Sequence, residues 1–334
     1  AFAGYVFGRP LIERISVRII SDVNTIMANL LAGELDGVPT GPLEAGHGAD
    51  LRRQWEPAGR GTVGVVQNRL RQMQLQFRDP TLPWAGDVRV RQAALHLIDR
   101  QAIVDGIIHG QTTVGDVAVL PTSPVYPLVE RRGIPRYGYD RAQAERLLDS
   151  AGWPRGADGI RRNASGAVFA WNPAVSGEPD LPEVLVIVDG LKGGGILSEP
   201  DLIPDSLPSN DKNERRGRAH SITRSAALEY SYWERFSRSE ISSAQNRWRG
   251  SNTGGYSSPA FEALFEQWRV AIDPSARDEA EADLHKLLVD ELAYLPLFYN
   301  VDVYAHRKGV VGPRPNPSEG RNITIDIHTW KIEL

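Results

Sequence analysis

Residues 87–100 read Asp87-Val88-Arg89-Val90-Arg91-Gln92-Ala93-Ala94-Leu95-His96-Leu97-Ile98-Asp99-Arg100. Val90, Ala94, Leu97 and Ile98 fall on one face at helical spacing, and Asp87 stands where an N-cap belongs. Asp99 then caps a second helix through Ile103, Val104, Ile107 and Ile108, which stops at Gly110. Two consecutive helices are expected here. Outward from this pair the same logic continues. Asp140 with Gln143 forms a capping box, Ala144, Leu147, Leu148 and Ala151 make the apolar stripe, and Gly152 ends the helix. Ser258-Pro259 opens a helix through Phe261, Leu264, Phe265 and Trp268; Asp273-Pro274 opens another through Ala280, Leu284, Leu287 and Leu288.

Upstream, Ile15–Ile20 is expected as a strand, followed by a short helix from Ser21-Asp22 to Gly33. Val63, Val65, Leu75 and Phe77 mark an extended stretch between Thr62 and Phe77, broken by Pro80 and Pro83. Downstream, residues 295–305 and 322–332 are strand-like. The stretch from Trp171 to Arg224 resists assignment: Val184, Val188 and Leu191 have helical spacing, but β-branched residues and Gly190 weaken a helix.

The 334 residues carry 38 Lys and Arg against 42 Asp and Glu, a net charge of −4, so no polyanion partner is implied and nucleic acid is excluded as a first reading. With no cysteine, disulfides, thiolate zinc sites and cysteine nucleophiles drop out. No apolar run approaches the ~18 residues of a membrane span. The opening Ala1-Phe2-Ala3-Gly4 lacks an initiator Met and shows no export signal, so the signal was removed or the chain is an internal fragment.

Gly59, Gly61 and Gly64 spell G-x-G-x-x-G, yet the extended Val63-Gly64-Val65-Val66 follows them instead of a helix, so a phosphate cradle is not expected. The seven histidines include no pair at metal-sharing spacing, and His96 and His285 sit in amphipathic helices as structural imidazoles. No nucleophile elbow is present. Density of aromatic and polar residues peaks between Tyr230 and Tyr256, where Tyr232, Trp233, Phe236 and Trp248 are interleaved with Asn246, Arg247 and Asn252. Such a mixture suits a ligand cleft, and equally suits aromatic anchors that pack an irregular loop on the core.

These motifs, taken in order, resemble the extracytoplasmic solute-binding proteins of peptide-type ABC importers, the family 5 group of dipeptide, oligopeptide and nickel binders. The 87–100 helix pair carries the resemblance, together with Asn29-Leu30-Leu31-Ala32-Gly33-Glu34-Leu35-Asp36 and the stretch from Tyr139-Asp140 through Leu147-Leu148 to Ala151-Gly152-Trp153. Asn252, Gly255-Tyr256, Ser258-Pro259 and Pro296-Leu297-Phe298-Tyr299 are similar to the family's C-terminal half. The resemblance implies an α/β, two-lobed periplasmic-binding-protein-like (type II) fold, incomplete at the N-terminus. Residues 1–71 would be a remnant of lobe I, 72–300 the larger ligand-facing lobe with 171–224 irregular, and 301–334 the return to lobe I. The chain would cross between lobes near Gln72–Phe77 and Tyr299–Val303.

The implied function is non-enzymatic: the solute-binding component of an ABC importer, binding a peptide or other small polar solute between lobes and delivering it to permease subunits. The expected protein is a periplasmic or extracytoplasmic monomer, with or without a lipid anchor, needing no cofactor or metal. A metal chelate stays open as the solute. Ligand-binding residues are expected at Glu229, Tyr230, Tyr232, Trp233, Trp248, Asn252 and Tyr256, with Glu229 standing where peptide binders hold an aspartate for the peptide amino group. A hydrolase on a similar scaffold, and a truncated chain that binds nothing, are the alternatives.

Overall fold

The computed structural model describes residues 4, 6–177, 180–226, 230–314, 323–324 and 326–333, with Ala226, Tyr230 and Ser231 described in backbone only. In chain order the elements are α1 (Val23–Ala32), β1 (Gly37–Leu43), α2 (Ala45–Trp55), β2 (Gly61–Leu75), α3 (Pro83–Gly86), α4 (Val88–Leu97), α5 (Arg100–Gly106), α6 (Tyr126–Arg131) and α7 (Arg141–Ser150). They continue with β3 (Pro173–Ser176), α8 (Leu181–Gly193), β4 (Asp201–Ile203), α9 (Ser209–Arg218), β5 (Ser221–Ala226), α10 (Tyr230–Glu234), α11 (Pro259–Val270), α12 (Pro274–Asp290), β6 (Tyr294–Arg307), β7 (Val310–Val311) and β8 (Lys331–Ile332). The chain divides into two compact units: Ala1–Asn68, Asp105–Thr112 and Asn300–Leu334 form the first, Arg69–Val104 and Thr113–Tyr299 the second. Strands β2 and β6 each run through a unit boundary.

In the first unit β6 lies between β1 and β2, with β1 antiparallel to β6. Ile26 and Leu30 of α1, Leu51 and Trp55 of α2, and Val38, Val63 and Val303 of the strands make its core. Asp22 caps α1 by accepting from the Thr25 N–H at 2.7 Å, and Gly33 ends it in the left-handed region at φ 80°. The glycine spelling resolves into packing: a side chain at Gly61 would strike the Trp55 ring, and one at Gly64 the Tyr304 ring. The expected strand at Ile15–Ile20 does not form. That segment has no ladder partner among the described residues, and Val17 and Ile19 are exposed. Residues 322–332 also differ from expectation. Their described part holds a 3₁₀ turn at Ile327–Thr329 and the two-residue β8.

The second unit holds the sheet β2-β5-β3-β4, with β2 antiparallel to β5 and β3 parallel to both neighbours. The opening helix pair is α4 and α5, capped by Asp87 and Asp99 as the sequence leads one to expect. Its two buried arginines are stitching residues. Arg91 donates to the carbonyls of Trp84 and Glu291, and Arg100 to those of Gly115, Tyr137 and Pro296. A guanidinium with five donors satisfies several buried carbonyls at once, which an apolar residue cannot do.

The irregular stretch expected at 171–224 is instead β3, α8, β4, α9 and β5. Gly190 does not interrupt α8. It lets that helix press against the Leu97 carbonyl at the end of α4, where a Cβ would collide. The β-branched residues that weigh against an isolated helix supply its buried face, Val184, Ile187 and Val188, so tertiary packing overrides propensity.

Candidate functional site

Residues 230–256 lie in the second unit, and most of the aromatic side chains expected to face a ligand face its core. Tyr232, Trp233 and Tyr256 are 2%, 3% and 6% exposed and belong to one cluster with Phe236, Phe261, Trp268 and Tyr294. Trp233 packs edge-on to Trp268 with centroids 5.9 Å apart and sits 4.7 Å from His285. Tyr256 donates its hydroxyl to Glu291 at 2.5 Å. Asn252 has no capacity left for a solute. Its amide donates to the Ser237 and Tyr256 carbonyls at 3.0 and 2.8 Å, and its oxygen accepts from the Gly255 and Tyr256 N–H groups. Trp248 lies against Gly217 with the Arg78 and Arg218 guanidinium groups 5.5 and 5.0 Å from its ring centre. Glu229 lies outside the described residues, as does the Tyr230 side chain. Tyr232, Trp233, Tyr256 and Asn252 are thus held by core and loop packing, whereas Trp248 is half-buried outside that cluster.

His285, on α12, is the titratable member of this core. Burial alone drives its pKa down to about 3 from an ordinary 6.5, and its Nδ1 has no hydrogen-bond partner. Between those values the unfolded chain binds a proton that the native chain refuses, so stability falls as pH is lowered through 6.5 toward 3. The slope is about 1.4 kcal/mol per pH unit. Urea unfolding at pH 6.5 and pH 5 is expected to show a loss of roughly 2 kcal/mol from this group, and the His285→Gln variant a correspondingly smaller loss. An unchanged acid dependence in that variant would remove His285 from the account.

What the aromatic reading misses is polar and lies on the sheet. The crossover from β3 through α8 to β4 steps one way, and the crossover from β4 through α9 to β5 returns past β3 to its other side. Open α/β sheets bind ligands outside the carboxyl ends of their strands at such a reversal, because neighbouring loops diverge there and leave a crevice. Here that position lies between the carboxyl ends of β3 and β5, at Ser176 and Arg224.

Register sets what faces it. Gln72 of β2 pairs with Arg224 of β5, and Gln74 with Ile222, so Gln72, Gln74, Arg224 and Ile222 share one face. The opposite face carries Arg71 and Thr223 and is closed by Glu183 at the start of α8. On the first face Arg224 donates to Gln74 Oε1 at 3.3 Å, and Gln74 also accepts from Thr253 at 2.7 Å. Arg216 reaches from α9 along the same face, its Nε donating to Ser176 Oγ at 3.0 Å. The Tyr232 hydroxyl is 3.5 Å from Gln72 Oε1. Burial lowers the Arg224 pKa to about 10, and the like charges of Arg235, Arg216 and Arg71 add to the shift. Among the described residues no carboxylate pairs with Arg216, Arg224 or Arg235. The available signal was the alternation Gln72-Met73-Gln74-Leu75-Gln76, which puts three amides on one face of a strand buried on both sides. No group of His, Asp or Glu side chains able to hold a metal occurs among the described residues.

The family model of the bacterial extracellular solute-binding proteins, family 5 (middle region), matches residues 1–230, more than half of the chain. The chain belongs to that family. Protein XP55 of Streptomyces lividans is 35% identical over 158 residues, covering 46% of this chain and 26% of its own length. The oligopeptide-binding protein AppA of Bacillus subtilis is 27% identical over 162 residues, covering 47% of this chain and 27% of its own length. The solved structure of that AppA with a nonapeptide superposes at a TM-score of 0.71 with 19% identity, over 95% of this chain and 60% of AppA. NikA of Brucella suis, in complex with Fe(III)-EDTA, superposes at 0.76 with 22% identity, over 97% of this chain and 63% of NikA. The family 5 chain described here therefore has the α/β fold of two-lobed periplasmic binding proteins, and it spans about a quarter of these curated relatives and about 60% of these solved structures.

Proposed function

We propose that this protein is the solute-binding component of an ABC importer, a carrier that performs no chemistry and hands a peptide or other small polar solute to permease subunits. Family membership over residues 1–230 is the observation that carries the reading. The polar face at the carboxyl ends of β3 and β5, set at a reversal of the crossovers, supports it as a place for the solute to meet the second unit. The two compact units would act as the two lobes, and a solute that binds their closed arrangement better would shift the population toward it. Such a carrier works in the periplasm or outside the cytoplasmic membrane, as a monomer, with or without a lipid anchor. No helix among the described residues is long and apolar enough to cross a membrane.

Small-angle scattering of the protein with and without a saturating tryptic peptide mixture tests closure. A smaller radius of gyration with peptides is expected; an unchanged radius while peptides are bound would contradict it.

A further inference from the structure

We propose that the turn at residues 247–249, together with Arg218 of α9, docks the second unit on an anionic lipid surface, with the guanidinium groups of Arg218, Arg247 and Arg249 contacting headgroup phosphates. The inference goes beyond the solute-carrier reading, and its test uses no solute, so either can fail alone.

The turn lies at the end of the sheet where Leu75 pairs with Ser221, away from the carboxyl ends of β3 and β5. Trp248 packs there on Gly217, which just precedes β5, and beside Arg78, which just follows β2. The backbone of the turn is held in a costly shape. Arg247 and Trp248 stand at φ 55° and 58°, the only adjacent non-glycine pair in the left-handed region among the described residues. That shape is fixed from both sides. Before it, Ser243 and Asn246 close a capping box, and the Trp248 N–H donates to the Ser243 carbonyl at 2.8 Å. Within it, the indole fills the place that a side chain at Gly217 would take, with the Arg78 and Arg218 guanidinium groups 5.5 and 5.0 Å from its ring centre. Pinned by that ring, Arg247 and Arg249 are exposed on either side of Trp248 in the sequence.

Their charge is not answered within the chain. Neither Arg247 nor Arg249 pairs with a carboxylate among the described residues, and Arg218 has only the exposed Glu214, at 2.8 Å. The net charge of −4 conceals this local excess of cations. Two properties select a lipid surface as the partner. Exposed guanidinium groups hold a single phosphate in water weakly, whereas a membrane presents many phosphates at once, and each arginine near it adds about fivefold to partition. Moreover, no large apolar side chain described between residues 205 and 256 is exposed, so the patch lacks the apolar centre of a protein interface.

Co-sedimentation with vesicles tests the proposal, using phosphatidylcholine alone and phosphatidylcholine mixed with phosphatidylglycerol. Binding to the mixed vesicles only, weakening as salt is added, is expected. The Arg247→Gln, Arg249→Gln double variant is expected to bind roughly tenfold more weakly or worse, with an unchanged melting temperature because both side chains are exposed. An Arg131→Gln, Arg146→Gln double variant alters net charge equally at two other exposed arginines and is expected to bind as the parent does. Equal losses in the two double variants would show that net charge acts and not the turn, and would overturn the proposal. No binding to the mixed vesicles, or equal binding to both kinds, would also overturn it. Retention on immobilised polyglutamate without vesicle binding would mark an acidic protein partner and equally sink the lipid reading.

Discussion

Replacing Trp233 by alanine is expected to lower the free energy of unfolding by about 3–5 kcal/mol, the cost of a cavity where a buried indole stood. Trp233 is 3% exposed and closes a cluster that includes Tyr232, Trp268 and His285. Its removal strips dispersion contacts from three aromatic neighbours and leaves a space that helices α11 and α12 cannot both collapse into. Affinity for solute, measured below the melting temperature on the folded fraction, is expected to stay within about twofold. Chemical denaturation with parallel calorimetry reads both. A loss of affinity with a small loss of stability would put Trp233 back at the ligand and overturn its core placement.

The second large effect is expected at Glu183. Its carboxylate accepts from Arg71 Nε at 2.7 and 3.0 Å and lies 2.6 Å from the guanidinium NH2, with both side chains almost wholly buried. Burial pushes the Glu183 carboxyl up, against the pull of Arg71. Glu183→Gln keeps the shape but strands a buried guanidinium with the half-exposed Asp180 as its remaining carboxylate, 2.8 Å away. Stranding a buried charge costs about 3–5 kcal/mol, and the surviving Asp180 contact places the expected loss near 3 kcal/mol, read by urea unfolding at pH 7. Replacing both partners, Arg71→Met with Glu183→Leu, is expected to recover most of that loss, because no charge is then left buried. A loss below about 1 kcal/mol in the single variant would mean that Asp180 alone satisfies Arg71.

Much of this fold is legible in the sequence where local chemistry and tertiary structure agree. Asp22, Asp87, Asp140, Ser258 and Asp273 each accept from a backbone N–H in the first turn of the helix they precede, and each is visible as a cap before any contact is known. Where the two levels diverge, the sequence misleads in identifiable ways. Gly190 and the β-branched run from Val184 to Val188 read against a helix, and only the Leu97 carbonyl and the sheet that α8 packs on explain them. Ile15–Ile20 has strand composition, but a strand needs a ladder partner that composition does not reveal.

The candidate site was the least legible part. Tyr and Trp serve a core and a cleft equally well, and the side chains of Tyr232, Trp233 and Tyr256 point into the core through long-range contacts with α11, α12 and β6. The polar residues of the sheet face, Gln72, Gln74, Arg216 and Arg224, come from three elements far apart in sequence, and their convergence depends on the β4–α9–β5 crossover and the β2–β5 register. Neither is encoded in a short motif.

Native mass spectrometry of the protein purified without denaturation tests the central claim most directly. A solute-binding component is expected to emerge with one small solute per chain, retained through desalting and released on unfolding, and exchangeable for a member of an added peptide pool. A chain that carries the bare polypeptide mass, and that acquires no adduct from the pool at saturating concentration, would contradict the account.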